Sequence, residues 1–355
     1  MGVASSAVEK TKAGAGWLGH LYHPRTWKEK GILWSTGILL ITVALGLFIL
    51  SFFWGQEPDL FDVRVNALQV AEQNEEKLVP GYVSSATVIR VASTLLHKPG
   101  GYLSNDVMPP GVLMDNIPNW EYGVLVQLRD MARSMRQDFA RSRSQSIEDK
   151  DLQIADPQFN FNSESWILPA TETEYEKGIK AMRSYMDRLS DTNEMDGQFF
   201  ARADNLRDYL QVVERRLGNF AQRLAASVGQ ARFDINLAGD RAATQSKPTP
   251  SEQKVKTGWW ELDDVFYEAR GGTWALLHFL KALEYDLRDV LEEKNADVLL
   301  RQIIRELEGS QDPMWSPVVL NGTGYGVVAN HSLVLASYVA RASAAIIDLR
   351  QLLLQ

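Results

Sequence analysis

Residues 31–54 read GILWSTGILLITVALGLFILSFFW, without a charged side chain anywhere in the run. At 1.5 Å per residue a helix of that length covers about 36 Å, enough to cross a hydrocarbon core of about 30 Å with some tilt. Trp27, Trp34 and Trp54 stand near its ends, where amphipathic rings favour the headgroup region. The run is too long for the apolar part of a cleavable signal peptide, and SFFWGQ at its end offers no small residues for cleavage. The expectation is an uncleaved signal anchor, a single transmembrane helix meeting membrane lipid through residues 31–54.

Flanking charge orients it. Lys10, Lys12, Arg25, Lys28 and Lys30 precede the run against Glu9 and Glu29, whereas Glu57, Asp59 and Asp62 follow it, opposed by Arg64. Positive charge stays on the cytoplasmic side, so the tail at 1–30 is expected in the cytoplasm and the bulk outside it. In a Gram-negative bacterium that is an inner-membrane protein with a periplasmic domain. Five cations and two carboxylates give the first 54 residues +3, so a chain of net −8 leaves −11 for the remainder. An acidic exterior lacks the clustered basic surface that nucleic acid requires, and none is expected as a partner.

The chain has 355 residues, 45% hydrophobic and 23% charged, which is the composition of a folded protein. The part after residue 54 is long enough for one large domain or two smaller ones. Cys is absent, which excludes a disulfide, a thiol nucleophile and a thiolate zinc site. The five histidines, His20, His23, His97, His278 and His331, include no pair at i, i+4. No metal and no cofactor is expected.

Apolar spacing after residue 54 is mostly helical, interrupted by Gly- and Pro-rich loops, so the fold class is all-α: a helical bundle behind one membrane helix. Helices are expected from about Phe61 to Lys77, Val83 to His97, and Asn119 to Ser144, with a breaker-rich loop at 98–118. Thr171-x-x-Glu174 reads as a capping box opening a helix to about Leu189. The stretch 191–197, DTNEMDG, resembles a calcium loop but places Met195 and Arg202 where ligands are needed, so it reads as a helix connection. Next, Phe199, Ala203, Leu206, Leu210, Val213, Leu217, Phe220 and Leu224 alternate spacings of four and three, an a/d seam over more than three heptads. Arg202, Arg207, Arg215, Arg216 and Arg223 lie off it, among Asp204, Asp208 and Glu214. The seam fits a helix inside a bundle, or an interaction seam for a coiled coil between chains. Residues 243–258, ATQSKPTPSEQKVKTG, read as a linker between helical regions at 55–242 and 259–355. These are separate bundles or one domain interrupted by a loop. In the second region helices are expected at Trp259–Ala269, Thr273–Lys294, Ala296–Glu308 and Asn330–Leu354, with Gly271-Gly272 breaking the first from the second. Arg341, Asp348 and Arg350 exclude the last as a second membrane span.

No zincin, Walker or G-x-S-x-G pattern is present. Two loops could still hold a ligand. In VVLNGTGYGVVANHS, residues 318–332, Gly322, Gly324 and Gly326 follow an apolar run and precede a helix, an order that can present backbone N–H groups to an anion. The spacing fits no phosphate-binding pattern, and a tight connection capped by Asn330 or Ser332 explains it more simply. The loop at 98–122 gathers Tyr102, Asn105, Asp106, Asp115, Asn116, Trp120, Glu121 and Tyr122. Carboxylates beside aromatic rings are what a glycan site uses, with Asp106, Asp115 and Glu121 as weak catalytic candidates and Tyr102 and Trp120 as stacking surfaces. Loop composition alone also accounts for them.

The phrases GGYLSND, PPGVLMDNIPNWEYG, RDMARSMRQDFARSRSQS, ILPATETEYEKG and VVLNGTGYGVVANHSLVLASYVARASAAIIDLR together resemble an uncharacterised family of Gram-negative inner-membrane proteins, domain of unknown function 2333. The resemblance covers the chain from the membrane segment onward. It implies a bacterial envelope protein and supplies no activity, cofactor or catalytic residue.

The residues favour a non-catalytic envelope component that binds other envelope proteins or itself, because no catalytic constellation rises above loop composition. The alternative is an enzyme or binding domain acting on envelope glycan or lipid through Asp106, Asp115 and Glu121. That alternative requires those side chains to converge in one cleft with a carboxyl buried.

Overall fold

The computed structural model describes residues 22–142, 146–191, 196–233, 252–324 and 326–354. It divides into two compact units, Met1–Trp54 and Gly55–Gln355. The first holds helices α1 (Pro24–Lys30) and α2 (Ile32–Trp54). No residue of α2 is buried, and α2 is long and apolar enough to cross a membrane.

Among the described residues the second unit is all-α apart from one short ribbon. In chain order it holds α3 (Val63–Asn74), α4 (Tyr82–His97), α5 (Asn116–Ser134), α6 (Leu152–Phe159), α7 (Thr171–Ser190) and α8 (Ala203–Ala225). Strands β1 (Gln230–Phe233) and β2 (Glu252–Val255) follow, then α9 (Leu262–Asp286), α10 (Arg288–Glu293), α11 (Asp297–Gly309) and α12 (His331–Leu352). The strands pair antiparallel, Gln230 opposite Val255.

α5 and α9 form the centre. They start side by side, Asn119 donating to Asp264 at 2.7 Å, and run in the same direction. Their contact is set by small residues. A Cβ on Gly123 would lie 2.0 Å from the Glu268 carbonyl oxygen, and one on Gly271 would lie 2.0 Å from that of Trp120. Only glycine admits two backbones that close. Trp120 and Trp274, both buried, tilt against each other beside this crossing. α8 runs back along the pair: Arg223 reaches Glu268 and Arg216 reaches Asp130, while the Phe220 ring lies over Gly272. α11 also runs back, with Lys281 bonded to Glu308 and Gln311 to Thr273. α12 returns along α8 and α11, Arg350 pairing with Glu214 and Arg341 with Glu306. Helices from both sides of 243–258 thus share one core.

Buried polar bonds fasten the ends. Asp286, at the last turn of α9, accepts the Ser84 amide at 2.7 Å in the first turn of α4, where orphan N–H groups favour a carboxylate. His278 donates from Nδ1 to the Trp274 carbonyl at 2.7 Å and accepts the Phe61 amide at Nε2, 3.1 Å away. One nitrogen donating and the other accepting is the neutral imidazole.

Four expectations change. Gly271-Gly272 do not break a helix: α9 runs through them because the close approach of Trp120 and Phe220 requires their missing side chains. Thr171 is no N-cap. Ala170 precedes the helix, and the Thr171 hydroxyl donates to the carbonyls of Asn162 (2.8 Å) and Ser165 (2.9 Å), tying the preceding loop to α7. The helix expected through Ser144 leaves α-geometry at Met135 for one π turn, Met135–Phe139. The linker at 243–258 contains β2, and 243–251 lies outside the described residues. Residues 192–195 of the calcium-like stretch also lie outside them.

α12 is also long and apolar enough to cross a membrane, but Leu335, Val339, Ala342, Ile346 and Leu349 are buried on its neighbours. With two of its cations paired, it is a core helix of the second unit.

Candidate functional site

The three carboxylates of the loop at 98–122 do three different things. Glu121, on the first turns of α5, is fully buried. It pairs with the equally buried Lys98 and accepts the amides of Leu103 at 2.9 Å and Ser104 at 2.8 Å, plus the Ser104 hydroxyl. Burial pushes this carboxyl above its ordinary value, opposed by the Lys98 ammonium and the Ser104 and Leu103 donors. Glu121 therefore folds the loop onto the helix, and its oxygens are engaged by the chain itself. Asp115 is exposed and caps α5, accepting the Asn116 amide at 2.9 Å. Asp106 is half-buried, its carboxyl raised by burial and by Glu172. Tyr102 and Trp120 are both buried, Tyr102 edge-on to Tyr175 and Trp120 in the α5–α9 crossing, so neither presents a face to a sugar. Tyr122 is exposed, on the other side of α5.

The glycine loop closes on itself. The Gly322 amide donates to Ala329, the Gly326 amide donates to Thr323, and Asn321 bridges to Asn330. Asn330 caps α12 through the Leu333 amide at 2.8 Å. Two of the three glycine N–H groups are thus used inside the connection; Gly324 packs near Leu333.

Unlike charges line an open groove of about 810 Å³ between α5 and α8. Arg133, Arg215, Arg216 and Arg223 line it with Asp130, Asp138 and Glu268, above Tyr122 and Phe220. Buried Asp130 holds Arg216 in a two-bond fork at 2.6 and 3.1 Å, and Glu268 holds Arg223 at 2.7 Å. Each carboxylate raises its partner guanidinium above the ordinary value through that bond. Arg215 has no partner among the described residues; Arg133 makes a long contact to Asn160 at 3.5 Å and acts by its charge on Asp156. Burial and nearby Asp208 push Asp138 up to about 6. Such a surface can grip carboxylate or other anionic groups through planar, fork-shaped donors. Among the described residues no cluster of three His, Asp or Glu could hold a metal ion.

The sequence model of a bacterial family, described as uncharacterized protein conserved in bacteria (DUF2333), matches residues 27–355. The chain belongs to that family. No curated protein and no solved structure matches it. In this DUF2333 member the seam residues Leu206, Leu210, Val213, Leu217, Phe220 and Leu224 are all buried. They face the chain's own core, with α12 and α9 against α8, so a second chain could reach the seam only by opening the fold. Sequence spacing does not single out the groove as a site, although part of its signal is local. Arg216 and Arg223 recur at i, i+7, which puts both on one helix face. Their partners Asp130 and Glu268 lie 86 and 45 residues away.

Proposed function

We propose that this chain is an inner-membrane envelope protein, held by α2 with its N-terminus in the cytoplasm, whose helical domain works by binding rather than by catalysis. The observation that carries this reading is the arginine-lined groove between α5 and α8, open to solvent. Two guanidiniums there are fixed by carboxylates behind them, and two more are available to a partner. Its occupant is an acidic face of another envelope protein or of a second copy. The second copy has the charge for this, since the chain beyond residue 54 carries −11. Confinement by the anchor raises the effective concentration, so weak contacts suffice. The glycan-site alternative loses its support because Glu121 is engaged internally and Asp115 caps a helix.

Mild extraction from native membranes with crosslinking, then sizing and mass spectrometry, tests the reading. An assembly that forms with the wild type and is lost in the exposed charge reversals Arg133→Glu and Arg215→Glu supports it. A lone monomer without a crosslinked neighbour overturns it.

A further inference from the structure

The groove between α5 and α8 is one end of a longer surface. On α5 its lining residues Tyr122, Val126, Asp130, Arg133 and Gln137 recur at spacings of four and three, which is one helix face. Continued toward the start of the helix, the same spacing reaches Asn119 and Asp115. α9 agrees. Glu268 lines the groove, Asp264 and Glu261 precede it by one and two turns, and Asp264 accepts a bond from Asn119 at 2.7 Å. The stretch of face beside the groove is therefore acidic, with Asp115 and Glu261 exposed. Burial, then the charges of Asp115, Asp263 and Glu261, raise the Asp264 carboxyl. Asp115 and Asp264 bond to amide groups, and none of the four carboxylates has an ion pair among the described residues.

The far end has the opposite sign. Beyond the Asp130–Arg216 bond the groove exposes Arg133 and Arg215. The carboxylates nearby are already matched, Asp208 by Arg207 and Asp204 by Arg202, while Asp138 feels the Arg141 charge. One face thus carries acid at the start of α5 and arginine near its end. Asp115 and Arg133 are 18 residues apart, each nine from position 124. Along a helix that separation is about 27 Å. Tyr122, exposed on the same face, stands next to the midpoint.

A two-fold contact needs one patch that complements itself, and this face does so. Turned end for end about an axis at Tyr122, a second copy lays its Asp115 and Glu261 over Arg133 and Arg215. It receives the same in return. We propose that the groove binds a second copy of this chain in that antiparallel, two-fold arrangement, with Tyr122 meeting its own counterpart at the centre. This pairing rests on the groove being a binding surface and names its partner. An unrelated acidic protein would match the arginines and leave the four carboxylates beside them unanswered. A second copy answers both at one spacing. Tyrosine at the centre with charge toward the rim suits a protein contact.

Two charge-reversed full-length chains test it. Arg133→Glu with Arg215→Glu makes the groove end acidic, and Asp115→Arg with Glu261→Arg makes the acidic end basic. Alone, each sets like charges face to face, so self-association in mild detergent is expected to weaken at least about tenfold. Mixed, the two oppose unlike charges at both ends, and a heterodimer is expected to return, which also shows that both are folded. The chain has no Cys, so Tyr122→Cys reports the axis directly. It should give a disulfide-linked dimer under mild oxidation, whereas Val298→Cys, exposed on α11 and outside this face, should not. The pairing is overturned if Tyr122→Cys links no better than Val298→Cys, or if both reversed chains self-associate like wild type. A wild type that is monomeric in detergent, yet crosslinks in membranes to a different protein, also overturns it. Loss of that crosslink in Arg133→Glu, Arg215→Glu would leave the groove as a binding surface. A wild type that crosslinks to nothing removes both.

Discussion

The backbones of α5 and α9 meet at Gly271 and Trp120, where an added Cβ would stand 2.0 Å from the Trp120 carbonyl oxygen. Backbone cannot move aside as the tip of a side chain can, so Gly271→Ala must separate the two central helices. Overpacking a well-filled core costs about 1–3 kcal/mol, and this site belongs at or above the upper figure. The melting temperature is expected to fall by roughly 5 °C or more. Gly218, on α8, has nothing within 4 Å of such a Cβ. Gly218→Ala should leave stability unchanged or raise it by about 0.5–1 kcal/mol through helix propensity. Equal melting curves for the two variants would contradict the contact.

Lys98 and Glu121 form a buried pair whose members depend on each other. Lys98→Met leaves the Glu121 charge uncompensated and should cost about 3–5 kcal/mol. Adding Glu121→Gln removes the charge and keeps an oxygen for the Leu103 and Ser104 amides. The double variant is expected within about 2 kcal/mol of wild type, far short of the sum of the singles. Additive losses in urea titrations would mean the two groups are not coupled.

What could be read from the sequence follows the range of the forces involved. The apolar run at 31–54 and the alternation from Leu206 to Leu224 are local patterns, and both correspond to helices. Gly271-Gly272 looks the same in sequence whether it breaks a helix or admits a neighbour; Trp120, far away in the chain, decides which. Thr171 carries a capping residue's hydroxyl, yet the Asn162 and Ser165 carbonyls claim it. The loop acids were legible as residues but not in their roles, because Lys98 and two backbone amides determine what Glu121 can do. β1 and β2 are four residues each, too short for their alternation to register against the surrounding polar sequence.

Gln127, on α5, is fully buried, and neither its amide nitrogen nor its oxygen has a partner among the described residues. An unmade bond at a buried polar group costs about 1–3 kcal/mol. Gln127→Met keeps the length and shape of the side chain and removes both polar atoms. It is expected to stabilise the protein by about 1–2 kcal/mol, read from the denaturation midpoint. A loss of that size would show that the amide is satisfied.

His278 and Asp286 give stability opposite slopes with pH. Burial lowers His278 from 6.5 to about 4, so its contribution is complete above pH 6.5 and is lost as pH falls toward 4. Burial raises Asp286 from 3.8 to about 6, against the Ser84, Gly81 and Val83 donors, so the folded state favours the neutral acid. Its contribution is complete below pH 3.8 and is lost as pH rises through 6. Each spans on the order of 2–3 kcal/mol, and between pH 4 and 6 they offset each other. Substitution separates them. His278→Gln, relative to wild type, should gain stability as pH falls from 6.5 to 4. Asp286→Asn retains an acceptor for the Ser84 amide, and its advantage over wild type at pH 7 should shrink over the same fall. Urea titrations at pH 4, 5, 6 and 7 measure both differences. Variant-minus-wild-type values that stay flat across that range would mean that neither group titrates between its folded and unfolded environments.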